Sequence, residues 1–227
     1  MKIAELHSWP NDHKAALQIQ KDLSSEIITR AESSIKPRIV VGVDVSSVRG
    51  NTRLWAAVVA IHLPELKIVE EAFATIEAGY PYIPGLLSFR EIPVLIEAMR
   101  NLTSKPDLVI CDGQGIAHPR FFGLASHLGL WLNVPTIGCA KSLLVGEAAE
   151  PGIHAGDWQP LKYKNRTVGG ILRTRKGCKP MYVSPGHMID VDRSISLVQA
   201  TNKGYRLPEP TRLAHLAVTR YRLSFSE

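Results

Sequence analysis

Apolar residues in this chain recur with two different periods, and the switches between them mark out its elements. Residues 38–46, RIVVGVDVS, are a continuous aliphatic run bounded by Pro37 and a Ser-Ser-Val-Arg-Gly-Asn turn, and predict a buried central strand. Residues 53–62 (RLWAAVVAIH) and 67–76 (KIVEEAFATI) follow across the short Leu63-Pro64-Glu65 link and complete an antiparallel meander. Upstream, Asp12 to Ser33 repeats Ala16, Ile19, Leu23 and Ile27 at helical spacing, which predicts an amphipathic helix covering one sheet face. The segment GYPYIPGLLSFRE, residues 79–91, is punctuated by Gly79, Pro81 and Pro84 and reads as an ordered loop. Ser88 is placed to cap a helix from Phe89 to Leu102, with Leu95, Ile96, Met99 and Leu102 on one side and Pro93 near the first turn.

Residues 107–112 (DLVICD) predict a fourth strand. A loop over 113–122, a helix over 124–130 and a strand over 134–140 follow, the last ending at Lys141. Three antiparallel strands, helix, strand, helix, strand is the order of the ribonuclease H-like α/β fold, in which the first and fourth strands lie side by side and parallel. The expected architecture is a mixed five-stranded central sheet flanked by helices, with extra strands and helices at the C-terminal end. TVGGILR (167–173) and PMYVS (180–184) read as a hairpin at the sheet edge. Its connection carries Arg173, Arg175, Lys176 and Lys179, which suits either phosphate binding or defence of an open edge. Helices are expected over 190–200 and 211–221. No linker or repeat divides residues 1–227, so a single domain is expected.

Composition adds limits. The chain of 227 residues is 45% hydrophobic and 21% charged, enough for a well-filled core, and its net charge of +6 suits a polyanionic partner. The N-terminal residues lack a charged start followed by an apolar stretch, and the longest apolar run, 54–61, is too short to cross a bilayer. A cytoplasmic monomer without membrane contact is expected. Cys111, Cys139 and Cys178 have no paired spacing, against both a disulfide framework and a zinc site.

Two acids change the picture. Asp44 interrupts an otherwise aliphatic strand, and alone it reads more readily as the start of the following turn than as a metal ligand. Asp112 ends the neighbouring strand of the expected fold, which brings two carboxylates together. They repel unless a cation lies between them, and hard oxygen donors with room for water select Mg²⁺ or Mn²⁺. Such an ion supplies what phosphodiester hydrolysis demands.

The stretches PYIPGLLSFRE (81–91), DGQGIAHPR (112–120), ASHLGL (125–130), VPTIGCAKS (134–142), SPGH (184–187) and GYRLPEPTRLAH (204–215) resemble the endonuclease V family over almost the whole chain. The resemblance implies a metal-dependent repair endonuclease acting on deoxyinosine in DNA, with inosine in RNA as a further candidate. It implies cleavage at the second phosphodiester 3′ of the lesion, leaving a 3′ hydroxyl and a 5′ phosphate. By position, Asp44 and Asp112 match the metal-binding aspartates, and Glu91 and His215 match a further acid and a histidine near the metal. Lys141 matches a lysine beside the scissile phosphate. Tyr82 matches the wedge that fills the gap left by the extruded base. Gly85, Leu87, Gly113, Gly123, Gly138, Ala140 and Leu144 match the hypoxanthine pocket. His118, in the loop that follows Asp112, suits either a substrate contact or a hydrogen bond that braces its loop. After His118-Pro119-Arg120 the chain departs from the family, with Phe121 where a second basic residue is usual.

Two other readings share part of this pattern. Another ribonuclease H-like nuclease would share the acids but has no use for PYIP. A lesion-binding module would use the wedge, but clustered acids beside a polyanion serve it poorly.

Overall fold

The computed structural model describes residues 3–30 and 36–225. Its centre is β1 (Ile39–Ser47), which pairs antiparallel with β2 (Arg53–His62), itself antiparallel to β3 (Lys67–Glu77). On its other side β1 runs parallel to β4 (Leu108–Cys111), with Val43 opposite Cys111, and β4 runs parallel to β5 (Thr136–Ala140). The expected adjacency of first and fourth strands is therefore present.

The sheet has eight strands rather than five, in the order β3-β2-β1-β4-β5-β8-β7-β6. The anticipated C-terminal hairpin is β7 (Arg166–Leu172) and β8 (Met181–His187), but it is not an edge: β8 pairs with β5 and extends the sheet. The edge is β6 (Trp158–Tyr163), absent from the sequence reading because Pro160 and Lys162 break its apolar pattern. Proline is tolerated on an edge strand, where a missing N–H need not be paired. Arg173 serves neither edge defence nor phosphate: it is buried and donates to the carbonyls of Gly152, Pro151 and Cys178 and to Glu150.

Both sheet faces are covered, which explains why β2 is buried along almost its whole length. Val41, Val43, Ala56, Val58 and Val109 pack against α2 (Leu87–Arg100) and α3 (Leu124–Leu132). Val40, Trp55, Ala57, Val59 and Ile110 pack on the other side with α4 (Val191–Ala200) and α5 (Glu209–Leu223).

The first helix differs from expectation. Helix α1 spans His13–Leu23, capped by Asp12, whose side chain accepts from the Ala15 N–H, and a short 3₁₀ turn over Ser24–Glu26 ends it. Ser24 and Ser25 hydroxyls donate to the Lys21 and Asp22 carbonyls and compete with continuation of the helix. Residues 31–33 of the expected helix lie outside the described residues. The helix covers no sheet face; Ala16 packs on Tyr80, Leu86 and Phe89. Ser88 is likewise not a cap. It lies within α2, where its hydroxyl shares a 3.0 Å hydrogen bond with His127 Nδ1, and Pro93 falls in the second turn rather than the first.

Candidate active site

Extending the β1–β4 register one residue past the Val43–Cys111 pair sets Asp44 beside Asp112 at the ends of adjacent parallel strands. Both side chains are largely withdrawn from solvent, 13% and 16% exposed. Burial and the charge of Asp112 together push the Asp44 carboxyl above the usual carboxylate range, against the opposing pull of His215 and Lys141. Lys141, next after β5, donates to Asp112 Oδ2.

His215 arrives from the far end of the chain. Its Nδ1 donates to Asp44 Oδ2 at 2.8 Å. Position 42 makes that approach possible: a Cβ there would stand 2.0 Å from the Pro210 carbonyl oxygen, so only glycine lets the start of α5 lie directly on β1. The tight backbone contact at Gly42 thus sets the height at which α5 presents His215 to Asp44.

Glu91, in the second turn of α2, completes the group. Burial, and then the charges of Asp44 and Asp112, raise its carboxyl to about 8. The acids repel one another, and a cation between them would relieve that repulsion. Among the described residues no three His, Cys, Asp or Glu side chains converge into a ready cage. Two carboxylates with histidine and lysine beside them suit a small hard cation that keeps most of its own waters.

A cavity of about 390 Å³ opens beside this group. Gly85, Leu87, Gly113, Gly123, Ala140 and Leu144 line it, as do Asp112, Lys141 and His118. Tyr82, at its mouth, is 67% exposed. Gly138 is not on the cavity wall; it lies beneath the 113–115 loop, where a Cβ would stand 2.4 Å from the Gly115 nitrogen. The sequence reading missed Gln20, Gln114 and Phe122, which also line the cavity.

One carbonyl organises the cavity rim. Gly85, at φ +78°, points its oxygen at three donors: Gln20 Nε2 (3.0 Å), His118 Nε2 (3.1 Å) and Arg120 Nη2 (2.7 Å). Gln20 Nε2 also donates to the Phe122 carbonyl, and Gln20 Oε1 accepts from Arg120 Nε. This network ties α1 and the 81–87 loop to the 113–123 loop. His118 Nδ1 accepts from the Arg120 N–H, so both ring nitrogens are engaged; burial and Arg120 hold the imidazole neutral, down to about 4. His118 thus makes the bracing hydrogen bonds and also lines the cavity. No sequence pattern announces Gln20, because its partners, two backbone carbonyls and the Arg120 guanidinium, lie far along the chain.

A mixed sheet whose first and fourth strands present paired acids beside a deep cavity defines a nuclease-type site of the ribonuclease H-like class. Comparison with known proteins narrows this. The sequence model of the family Endonuclease V matches residues 21–216. An Endonuclease V from Trichormus variabilis is 46% identical over 214 residues, covering 94% of this chain and 97% of its relative. The crystal structure of an Endonuclease V from Streptomyces avermitilis superposes with a TM-score of 0.91 at 39% identity, covering 97% of each chain. Another, from Ciona intestinalis, was solved with a 23mer DNA containing an inosine followed by a ribo-adenosine. It superposes with a TM-score of 0.83 at 27% identity, over 94% of this chain and 98% of that one. The chain belongs to the endonuclease V family, and its enzyme class is that of the endonucleases.

Proposed function

We propose that this endonuclease recognises deoxyinosine in DNA, and inosine in RNA as a second substrate, and hydrolyses the second phosphodiester 3′ of the lesion to leave a 3′ hydroxyl and a 5′ phosphate. The observation that carries the reading is the juxtaposition of the Asp44, Asp112, Glu91, Lys141 and His215 group with a cavity of about 390 Å³ that is walled by glycine backbone and has Tyr82 at its mouth. Such a cavity is of the size that takes one base. Glycines bring main-chain amides and carbonyls close to a base edge, and the acceptor O6 and donor N1 of hypoxanthine distinguish it from adenine.

Asp44 and Asp112 are the residues that would hold Mg²⁺, with Mn²⁺ as a substitute. When bound, the ion supplies Lewis acidity toward a phosphoryl oxygen and a water more easily deprotonated. His215 fixes the Asp44 carboxylate through its Nδ1 proton. Lys141 neutralises Asp112 in the free protein and offers the same ammonium to the phosphate of the substrate. Glu91 orients water at the acid group. Tyr82, held between Pro81 and Pro84, fills the stack when the nucleotide leaves it.

The test is cleavage of a labelled duplex containing one deoxyinosine, with Mg²⁺ or with EDTA, by the native protein and by Asp44→Ala. Metal-dependent cutting one nucleotide beyond the lesion, lost in the variant and in an undamaged duplex, is expected. Cutting indifferent to inosine would replace this reading with a general nuclease, and selective binding without cutting would replace it with a lesion-binding protein.

A further inference from the structure

The tight turn between β6 and β7 holds more than an edge needs. Lys164 and Asn165 both lie in the left-handed region, at φ 47° and 58°. This is the two-residue hairpin turn with positive φ at both central positions, which Asn and Gly adopt readily and lysine does not. A lysine at such a position raises the question of what its ammonium does.

The neighbouring side chains fix where that ammonium stands. Lys164 Nζ lies 5.1 Å from the centre of the Tyr163 ring and 5.9 Å from that of Phe121, and Arg166 Cζ lies 5.1 Å from Phe121. The two rings are 5.6 Å apart. Aromatic faces hold the cations in place, so less conformational freedom is lost when they meet an anion. Lys164 and Arg166 are exposed, and among the described residues neither forms an ion pair or a side-chain hydrogen bond. Other cations of the fold, such as Lys141, Arg173 and Arg220, are paired with carboxylates.

This platform is continuous with the cavity. Phe121 and Phe122 are adjacent but diverge: Phe122 is buried in the cavity wall, while Phe121, at φ 56°, meets the hairpin. Another lining segment, from Lys141 through Leu144, leads on to Glu147, whose backbone pairs with that of Lys162 at 2.8 and 2.9 Å. Both lining segments therefore lead to the β6–β7 hairpin.

We propose that Lys164 and Arg166, held over Phe121 and Tyr163, form a second contact for the nucleic-acid substrate, gripping phosphates of the strand outside the cavity. The inference rests on the reading of the cavity as a nucleic-acid site. Defence of the open β6 edge is the competing use of the same charges.

The experiment measures binding by fluorescence anisotropy in EDTA for Lys164→Asn combined with Arg166→Gln, and for Arg166→Gln alone. The probes are a long duplex with a central inosine, the same duplex without it, and a short inosine duplex that does not extend past the cavity. Asn suits the left-handed turn, so the melting temperature is expected to hold or rise. The double variant is expected to bind both long duplexes about tenfold more weakly at low salt, with a salt slope shallower by roughly 1.5 to 2. Arg166→Gln alone should flatten the slope by about half as much. Binding to the short duplex, and the ratio favouring inosine, should stay unchanged. Unaltered salt slopes in both variants would overturn the proposal in favour of edge defence. An equal loss on the short duplex would overturn it in favour of an effect through the cavity. Failure of the cavity reading shows elsewhere, as absence of any inosine preference in the native protein.

Discussion

At the scale of single residues, the charge state of Glu91 is the feature most open to measurement. Its carboxyl is raised to about 8, so between pH 4.5 and 8 the folded protein keeps a proton that the unfolded chain has released, and stability falls as pH rises. His118, lowered to about 4, acts in the opposite sense below pH 6.5, which leaves pH 6.5 to 8 as the clear window. In EDTA, the melting temperature of the native protein is expected to drop across that window relative to Glu91→Gln. Parallel curves would show that the carboxyl is not held protonated. Tyr82 makes a different prediction, because its exposed ring has little to contribute to the fold. Tyr82→Ala should leave the melting temperature unchanged and slow cleavage of inosine duplex by roughly tenfold, while single-stranded inosine substrate, which needs no unstacking against a partner strand, is much less affected. Equal losses on the two substrates would remove the wedge role. His118 was legible as a residue near the site, but its bracing role became visible only with Gly85 beside it.

At the scale of elements, the contact between β1 and α5 joins the ends of the chain into one site. Gly42→Ala places a methyl group against the Pro210 carbonyl and forces α5 outward, at a cost of about 1–3 kcal/mol or more. Loss of both melting temperature and cleavage is expected. His215→Ala, by contrast, should lose cleavage with stability nearly intact, since His215 is half exposed. An unchanged cleavage rate in Gly42→Ala would mean that the height of α5 does not matter. Strands β1, β2, β4 and β5 were readable because apolar runs leave few alternatives to a buried strand, and β3 because a short link joins it to β2. Strand β6 was not, since an edge tolerates proline and lysine, and α1 ended early because serine hydroxyls capture its last carbonyls.

At the scale of the whole molecule, the sheet brings together acids from β1, β4 and α2, a lysine after β5 and a histidine from α5, residues dispersed between positions 44 and 215. The cavity beside them is closed by α1 and two loops. Several arginines are consumed in ion pairs or in bonds to backbone carbonyls, as Arg120, Arg173 and Arg212 are, whereas among the described residues Lys164 and Arg166 at the β6–β7 turn form no ion pair.

By itself the sequence determined the element order through β5, the mixed sheet and the acids that meet at its centre, because apolar periodicity and an acid in an aliphatic strand are local signals. Family resemblance added Tyr82 at the cavity mouth and most of the cavity wall. Only the tertiary structure decided that the sheet has eight strands, that Gly138 lies under a loop rather than on the cavity, that Gln20 and Arg120 knot the rim together, and that Lys164 stands over two rings. Each of these depends on which distant backbone or side chain arrives at a given point, and packing across the sheet sets that after local preferences have been satisfied.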